Sequence, residues 1–287
     1  MEYSFDSFIS GDFDWNPETR THTGLHLRAM DMDITGGKIS RADIDVLANH
    51  PEADTVTISG LNQDTFEYFL QTYGQQLKAI RFFKNKLVED WSMLGSLPKL
   101  EYIHFFSNQR IDSFWDMTNN TKLTGLSVSD FTRIKNVERV STAPALEDFR
   151  IGNAIWPTMV VESLLPLAGT RIKHLSFSGK DIADKDLSFL STMPELVTFD
   201  FPTNLFTTEQ VAWIAANHPN LTGFAIRPYT GDPADGSDEN AAGWIVGKRK
   251  PCLTFRGNED RIRKYGLAFE KLKEKYRNMP YHAAFPE

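Results

Sequence analysis

Residues 77–87 read LKAIRFFKNKL and residues 100–110 read LEYIHFFSNQR. Both carry apolar residues at places 1, 4 and 6 and asparagine at place 9. Apolar residues at alternate places over so short a run are the pattern of a strand with one buried face. The frame recurs at IKHLSFSGKDI (172–182) and LVTFDFPTNLF (196–206), and in full it starts at 29, 53, 77, 100, 123, 146, 172, 196, 221 and 250. Successive starts lie 23 to 29 residues apart. Of places 1, 4 and 6 in these copies only Lys250 is not apolar, in a chain that is 41% apolar overall, so composition alone does not produce the frame.

A period of this length means a stack of small units, because one unit cannot bury its apolar edge without a neighbour. Places 3 to 7 form the strand, with 4 and 6 turned inward and 3, 5 and 7 on the opposite face. Asparagine at place 9 can hydrogen-bond backbone groups where the chain leaves the strand. Proline stands two residues before place 1 at Pro51, Pro98, Pro144, Pro194 and Pro219. There it ends the preceding helical segment and presets an extended approach. This explains why ANHPEADTVTI (48–58) is echoed by ANHPNLTGFAI (216–226): both are the helix-to-strand corner of one stack. Between strands, residues 208–215 behind Thr207 read as a capped helix, as do residues 40–49, and 87–97 reads as a short helix or 3₁₀ turns.

The phrase resembles the leucine-rich repeat, LxxLxLxxNxL, met most fully by Leu77, Ile80, Phe82, Asn85 and Leu87. The resemblance covers residues 29–257 and departs from the favoured asparagine at Gly37, Leu61, Phe131, Ala154, Lys180 and Tyr229. It implies an α/β fold: a right-handed leucine-rich-repeat solenoid, or horseshoe, with a curved parallel β-sheet of about nine or ten strands, capped at both ends. The unit length is similar to that of internalins and phosphatase-regulating proteins. Residues 1–28, with Tyr3, Phe5, Phe8, Phe13 and Trp15, are the expected N-terminal cap. The acidic stretch 229–243 is an expected insertion. Residues 258–287 are the expected C-terminal capping helix and tail, with Ile262, Tyr265, Phe269, Leu272 and Tyr276 on one stripe.

The chain shows no run long and apolar enough for a membrane span and no basic-then-apolar start, so the expected address is cytoplasmic. A single cysteine, Cys252, excludes an internal disulfide framework. No GxSxG, HExxH or P-loop appears. His50 and His218 occupy equivalent places seven strand steps apart, roughly 34 Å, and cannot share an ion. The expectation is therefore a monomer without catalytic residues, metal or cofactor. The net charge of −7 hides an asymmetry, since residues 248–287 hold 11 Lys and Arg against 5 Asp and Glu.

Places 3, 5 and 7 are mostly small or polar, as a solvated inner face should be. The exception is Arg81, Phe83, Tyr102, His104 and Phe106, which combine aromatic and arginine side chains as binding hot spots do. Arg150, His174 and Asp200 extend this face as a polar stripe. Alternatively, Phe83 and Phe106 simply pack on each other across two strands. These residues point to a non-catalytic interaction module or scaffold that binds a protein partner on its concave face. A nucleic-acid-associated factor using Lys248, Arg249, Lys250, Arg261, Arg263 and Lys264 is the alternative, and a hydrolase with an unrecognised site is the third.

Overall fold

The computed structural model describes residues 4–11, 38–155 and 157–286, together with the backbone of 15–16, 21–22 and 25–27. Among the described residues, the spine is one eight-stranded parallel sheet whose strands follow one another in chain order. They are β1 (Leu25–Leu27), β2 (Thr55–Ser59), β3 (Ala79–Phe83), β4 (Tyr102–Asn108), β5 (Gly125–Phe131), β6 (Asp148–Gly152), β7 (His174–Ser178) and β8 (Thr198–Asp200). The copies that start at 53, 77, 100, 123, 146, 172 and 196 each contribute one strand, β2 to β8, in the register that the frame demands. Ile58 pairs with Phe82, Phe82 with Phe105, Phe105 with Val128, Val128 with Ile151, and Ile151 with Phe177. All six are buried in one continuous core. A second inner row, from Val56 through Ile80, Ile103, Leu126, Phe149 and Leu175 to Phe199, runs beside it.

Place 8 takes one backbone conformation in four consecutive units, just past the strand end or one residue before it. Gly60, Lys84, Ser107 and Asp130 all have left-handed backbone, with φ of 82°, 56°, 63° and 59°. That turn swings the chain off the sheet, and only at Gly60 is the conformation free of side-chain strain. The outer layer varies from unit to unit. Arg41–Ile44 (α2) continues as a 3₁₀ turn over Asp45–Asn49, Gln63–Tyr73 (α3) is a full helix behind an Asn62 capping box, and Ser92–Ser96 is a 3₁₀ turn. Thr207 caps Thr208–Asn217 (α4) as its sequence predicts, exchanging hydrogen bonds with Gln210.

The two ends depart from the expected nine or ten strands. Opposite Val56 stands Leu25 rather than Met32. The first expected strand, with Asp31, Asp33 and Thr35, lies outside the described residues. At the other end Thr222 makes only an isolated bridge to Thr198. The backbone approaches closely at Gly223, where a Cβ would come within 2.2 Å of the Phe199 carbonyl oxygen. Asp200 then accepts a hydrogen bond from the Phe224 amide at 2.8 Å, which occupies the edge instead of a ninth strand. The tenth copy leaves the stack altogether. Its strand, Cys252–Thr254, pairs antiparallel with Ala242–Trp244 at the end of the acidic insertion. Lys250, the one polar residue at an inner place, marks this break in the sequence.

Past the hairpin, Glu259–Tyr276 (α5) lies against α4 and buries Ile262, Phe269 and Tyr276 from the expected stripe. Tail residues fix it further: Trp213 Nε1 donates to the Met279 carbonyl at 2.7 Å, and Gln210 Nε2 donates to the Tyr281 hydroxyl at 2.7 Å. The basic residues Arg261, Arg263, Lys264 and Lys271 face solvent. Arg263 pairs with Asp260 and Lys273 with Glu270 on the same helix, the habit of a solvated face. No helix among the described residues is long and apolar enough to cross a membrane.

Candidate functional site

Residues 4–11 of the expected N-terminal cap do not lie at an end of the stack. Phe5–Ser10 forms a short helix, α1, capped by Ser4 at its start and by Gly11, with φ of 87°, at its end. Instead of covering an edge of the stack, α1 lies across the concave face of β3, β4 and β5, the side of places 3, 5 and 7. Phe5 and Phe8 are buried, with ring centroids 5.1 and 5.7 Å from that of Tyr102. The reason is legible at place 3 of these strands, where Ala79, Tyr102 and Gly125 stand side by side in register. A Cβ at Gly125 would fall 2.5 Å from the Phe5 ring, so only glycine leaves room for it. Burying the two phenylalanines contributes roughly 3–6 kcal/mol, offset by the entropy of ordering the segment. Tyr3 and Phe13, the other residues expected in the cap, lie outside the described residues, and only the backbone of Trp15 lies within them.

Both arginines expected on this face hold the ends of α1. Arg81 donates to the Ile9 carbonyl oxygen at 3.0 Å, at the helix C-terminus where a cation is favoured. Arg150 reaches Asp6 at 2.6 Å and lies 5.4 Å from the centre of the Phe5 ring. The same guanidinium forms a bidentate pair with Asp148, at 2.8 and 2.7 Å. That hydrogen bonding raises the Arg150 pKa, against the effect of burial. Burial also raises the pKa of the Tyr102 phenol.

The remaining expected residues divide into three groups. Phe83 and Phe106 stack on each other across β3 and β4, with centroids 5.1 Å apart and planes 15° from parallel, and both are half-buried. His104 is closed off, 7% exposed, with Nδ1 3.0 Å from the Ser127 hydroxyl. His174 is exposed, its Nδ1 2.9 Å from the Thr198 hydroxyl, and Asp200 is half-buried beside it. His174, Asp200 and Arg150 border a hollow of about 520 Å³ that opens beyond the N-terminus of α1. Tyr102, Glu147 and Asp148 also line it, as do Ser4, Phe5 and Asp6 at the start of α1 itself. Sequence reading missed α1 as part of this face. The signal was present in Ser4-Phe5-Asp6-Ser7-Phe8 with Gly11 behind it, matched by the small–large–small order of Ala79, Tyr102 and Gly125.

Burial, with the positive charges of Arg81 and Arg150 nearby, lowers the His104 pKa to about 3. In the unfolded chain the imidazole titrates near its ordinary value of about 6.5. Between these values the unfolded state binds the extra proton, so this group destabilises the fold progressively as pH falls from about 6.5 to about 3. Urea unfolding of the wild type and His104→Gln at pH 7, 5.5 and 4.5 checks this. The wild type is expected to lose stability relative to the variant at each step down, because the titrating carboxylates are common to both. A constant difference across this range would show that His104 takes up its proton as readily in the fold as in the unfolded chain.

A parallel sheet with one strand for each of seven successive two-dozen-residue units, buried rows in register and asparagines such as Asn85 and Asn108 behind strand ends define the class of fold: the chain has the architecture of a leucine-rich-repeat solenoid. Among solved structures it is similar to an internalin (inlF) from Listeria monocytogenes str. 4b F2365, at 15% identity over 65% of this chain and 50% of that one, with a TM-score of 0.42. It is also similar to the TLR13–ssRNA13 complex, at 14% identity over 72% of this chain and 28% of that one, with a TM-score of 0.46. The chain thus spans half or less of the length of either. No protein-family profile and no curated protein matches it.

Proposed function

We propose that the chain is a non-catalytic interaction module that binds a protein partner on the concave face of its sheet. The observation that carries this reading is the hollow beside α1, bordered by Tyr102, Arg150, His174 and Asp200. It joins an aromatic residue and an arginine, the pairing enriched in binding hot spots, to a surface of mixed polar and apolar character. Phe83 and Phe106 extend the same face as a stacked pair. The chain would act by holding or occluding its partner, as a monomer. A cytoplasmic address belongs to the same proposal, since Cys252 is free and exposed, a state that suits a reducing compartment.

Selection of binders from a displayed random-peptide library tests the assignment of the face. Peptides enriched on the wild type are expected to lose at least ten-fold in affinity for Arg150→Glu plus His174→Ala. They should bind Lys271→Glu, altered on the exposed side of α5, unchanged. If the enriched peptides tolerate the concave substitutions and respond to the α5 one, the concave face is not the binding surface.

A further inference from the structure

We infer that the concave face recognises a short helix of a partner protein, presenting two aromatic side chains one turn apart with an acidic residue beside the first, and that α1 is a built-in competitor for it. This rests on the concave face being the partner-binding surface, and adds what the partner must present. Four features of the docked helix support it.

First, the seat is specific in shape. Ala79 and Gly125 flank Tyr102 so that Phe5 and Phe8 both reach its ring, and a methyl group at Gly125 would strike the Phe5 ring. Second, the seat fixes direction. Arg81 takes a carbonyl at the helix C-terminus, while Arg150 takes Asp6 near its N-terminus, so a helix laid the other way meets neither group. Aromatic anchors spaced one turn apart with charges at the ends are the way a groove reads an amphipathic helix.

Third, α1 can leave without opening the solenoid. Among the described residues, Phe5, Phe8 and Ala79 form a small cluster of their own, separate from the continuous core that runs along the repeats. A helix this short is also not stable alone in water, so undocking and unwinding are one event. Fourth, among the described residues α1 lines the hollow at its N-terminal end with Ser4, Phe5 and Asp6 and does not fill it. A longer partner helix continuing in that direction gains surface that α1 does not use, which gives it the advantage needed to displace a tethered competitor.

The test uses the full chain and a fluorescein-labelled peptide of its own residues 1–14 as probe, read by fluorescence anisotropy. Wild type, with its seat filled, is expected to bind at least ten-fold more weakly than Phe5→Ala plus Phe8→Ala, whose seat is open. A peptide carrying the same two substitutions should not bind the open variant. Adding Tyr102→Ala to that variant should weaken peptide binding at least ten-fold. Equal affinity for wild type and the open variant overturns the inference. So does absence of binding to an open variant whose circular-dichroism melt matches that of the wild type. If library-selected peptides still bind the concave face in that case, only the inference fails. If no binder responds to concave substitutions, the underlying reading fails as well.

Discussion

Trp91→Ala is expected to lower the free energy of unfolding by roughly 3–5 kcal/mol, the range for deleting a buried tryptophan side chain. The indole sits where the outer layer meets the middle of the stack, 3% exposed. Its ring centroid lies 4.6 Å from Phe105, 5.3 Å from Trp115, 5.4 Å from Phe131 and 5.7 Å from Phe114. Its Nε1 also donates to the Ser113 carbonyl at 2.7 Å. Alanine would leave a cavity walled by rings that are themselves locked by neighbouring units, so little collapse can refill it. The position compounds the loss, since units in a stack hold only their neighbours and a defect in the middle separates two halves. Trp91→Phe keeps an aromatic ring and forfeits chiefly the hydrogen bond and some volume, at about 1–2 kcal/mol. Urea midpoints followed by circular dichroism, with unchanged slope, measure both. A loss below 1 kcal/mol for Trp91→Ala would mean that the cluster is loosely packed.

The same neighbourhood shows which parts of the fold the sequence makes legible. Places 4 and 6 can be read because burial requires apolar atoms at a fixed spacing, and the register from Ile58 to Phe177 follows from them. Phe131 reads as a departure from asparagine, and the structure supplies the reason: its ring stacks on Trp91 and edges against Phe105, filling space where an amide would be out of place. Ala154 reads as a departure too, but Asn153 takes over one place early, accepting hydrogen bonds from the amides of Thr158 and Met159 at 2.8 Å each. The destination of α1 is not legible in the same way. A six-residue helix carries too little periodicity to announce a face. Its docking also depends on shape complementarity with residues some 70 to 120 positions away, which no local pattern encodes. For the candidate site this means that Arg81, Tyr102 and Arg150 can be picked out by chemistry and place. That they already hold a segment of this chain is a tertiary fact.

The asparagines at place 9 carry the second large expectation. Asn108 is 4% exposed and satisfies four backbone groups at once. Its amide nitrogen donates to the carbonyls of Asn85 at 2.8 Å and Val88 at 2.9 Å, reaching back to the preceding unit. Its carbonyl accepts from the amides of Arg110 at 2.7 Å and Ile111 at 3.0 Å, turning its own unit away from the strand. Asn85, one unit earlier, makes both of its bonds back to the preceding unit, donating to the Ile58 carbonyl and accepting from the Leu61 amide. Truncation at such a site removes hydrogen bonds and leaves the partners buried without water, which costs more than the bonds themselves contribute. Asn108→Ala is therefore expected to destabilise the chain by roughly 3–5 kcal/mol. Asn153→Ala, at a half-buried site that water can reach, should cost about 1–2 kcal/mol. Hydrogen exchange gives a local readout: the amides of Arg110 and Ile111 should exchange faster in Asn108→Ala by more than the global loss accounts for. Asn108→Asp separates the two halves of the role, because a carboxylate still accepts from those amides but faces the Asn85 and Val88 carbonyls with negative charge. If Asn108→Asp is as stable as the wild type at neutral pH, the donor half of this asparagine's role contributes nothing, and the two units are held by the sheet hydrogen bonds and side-chain packing.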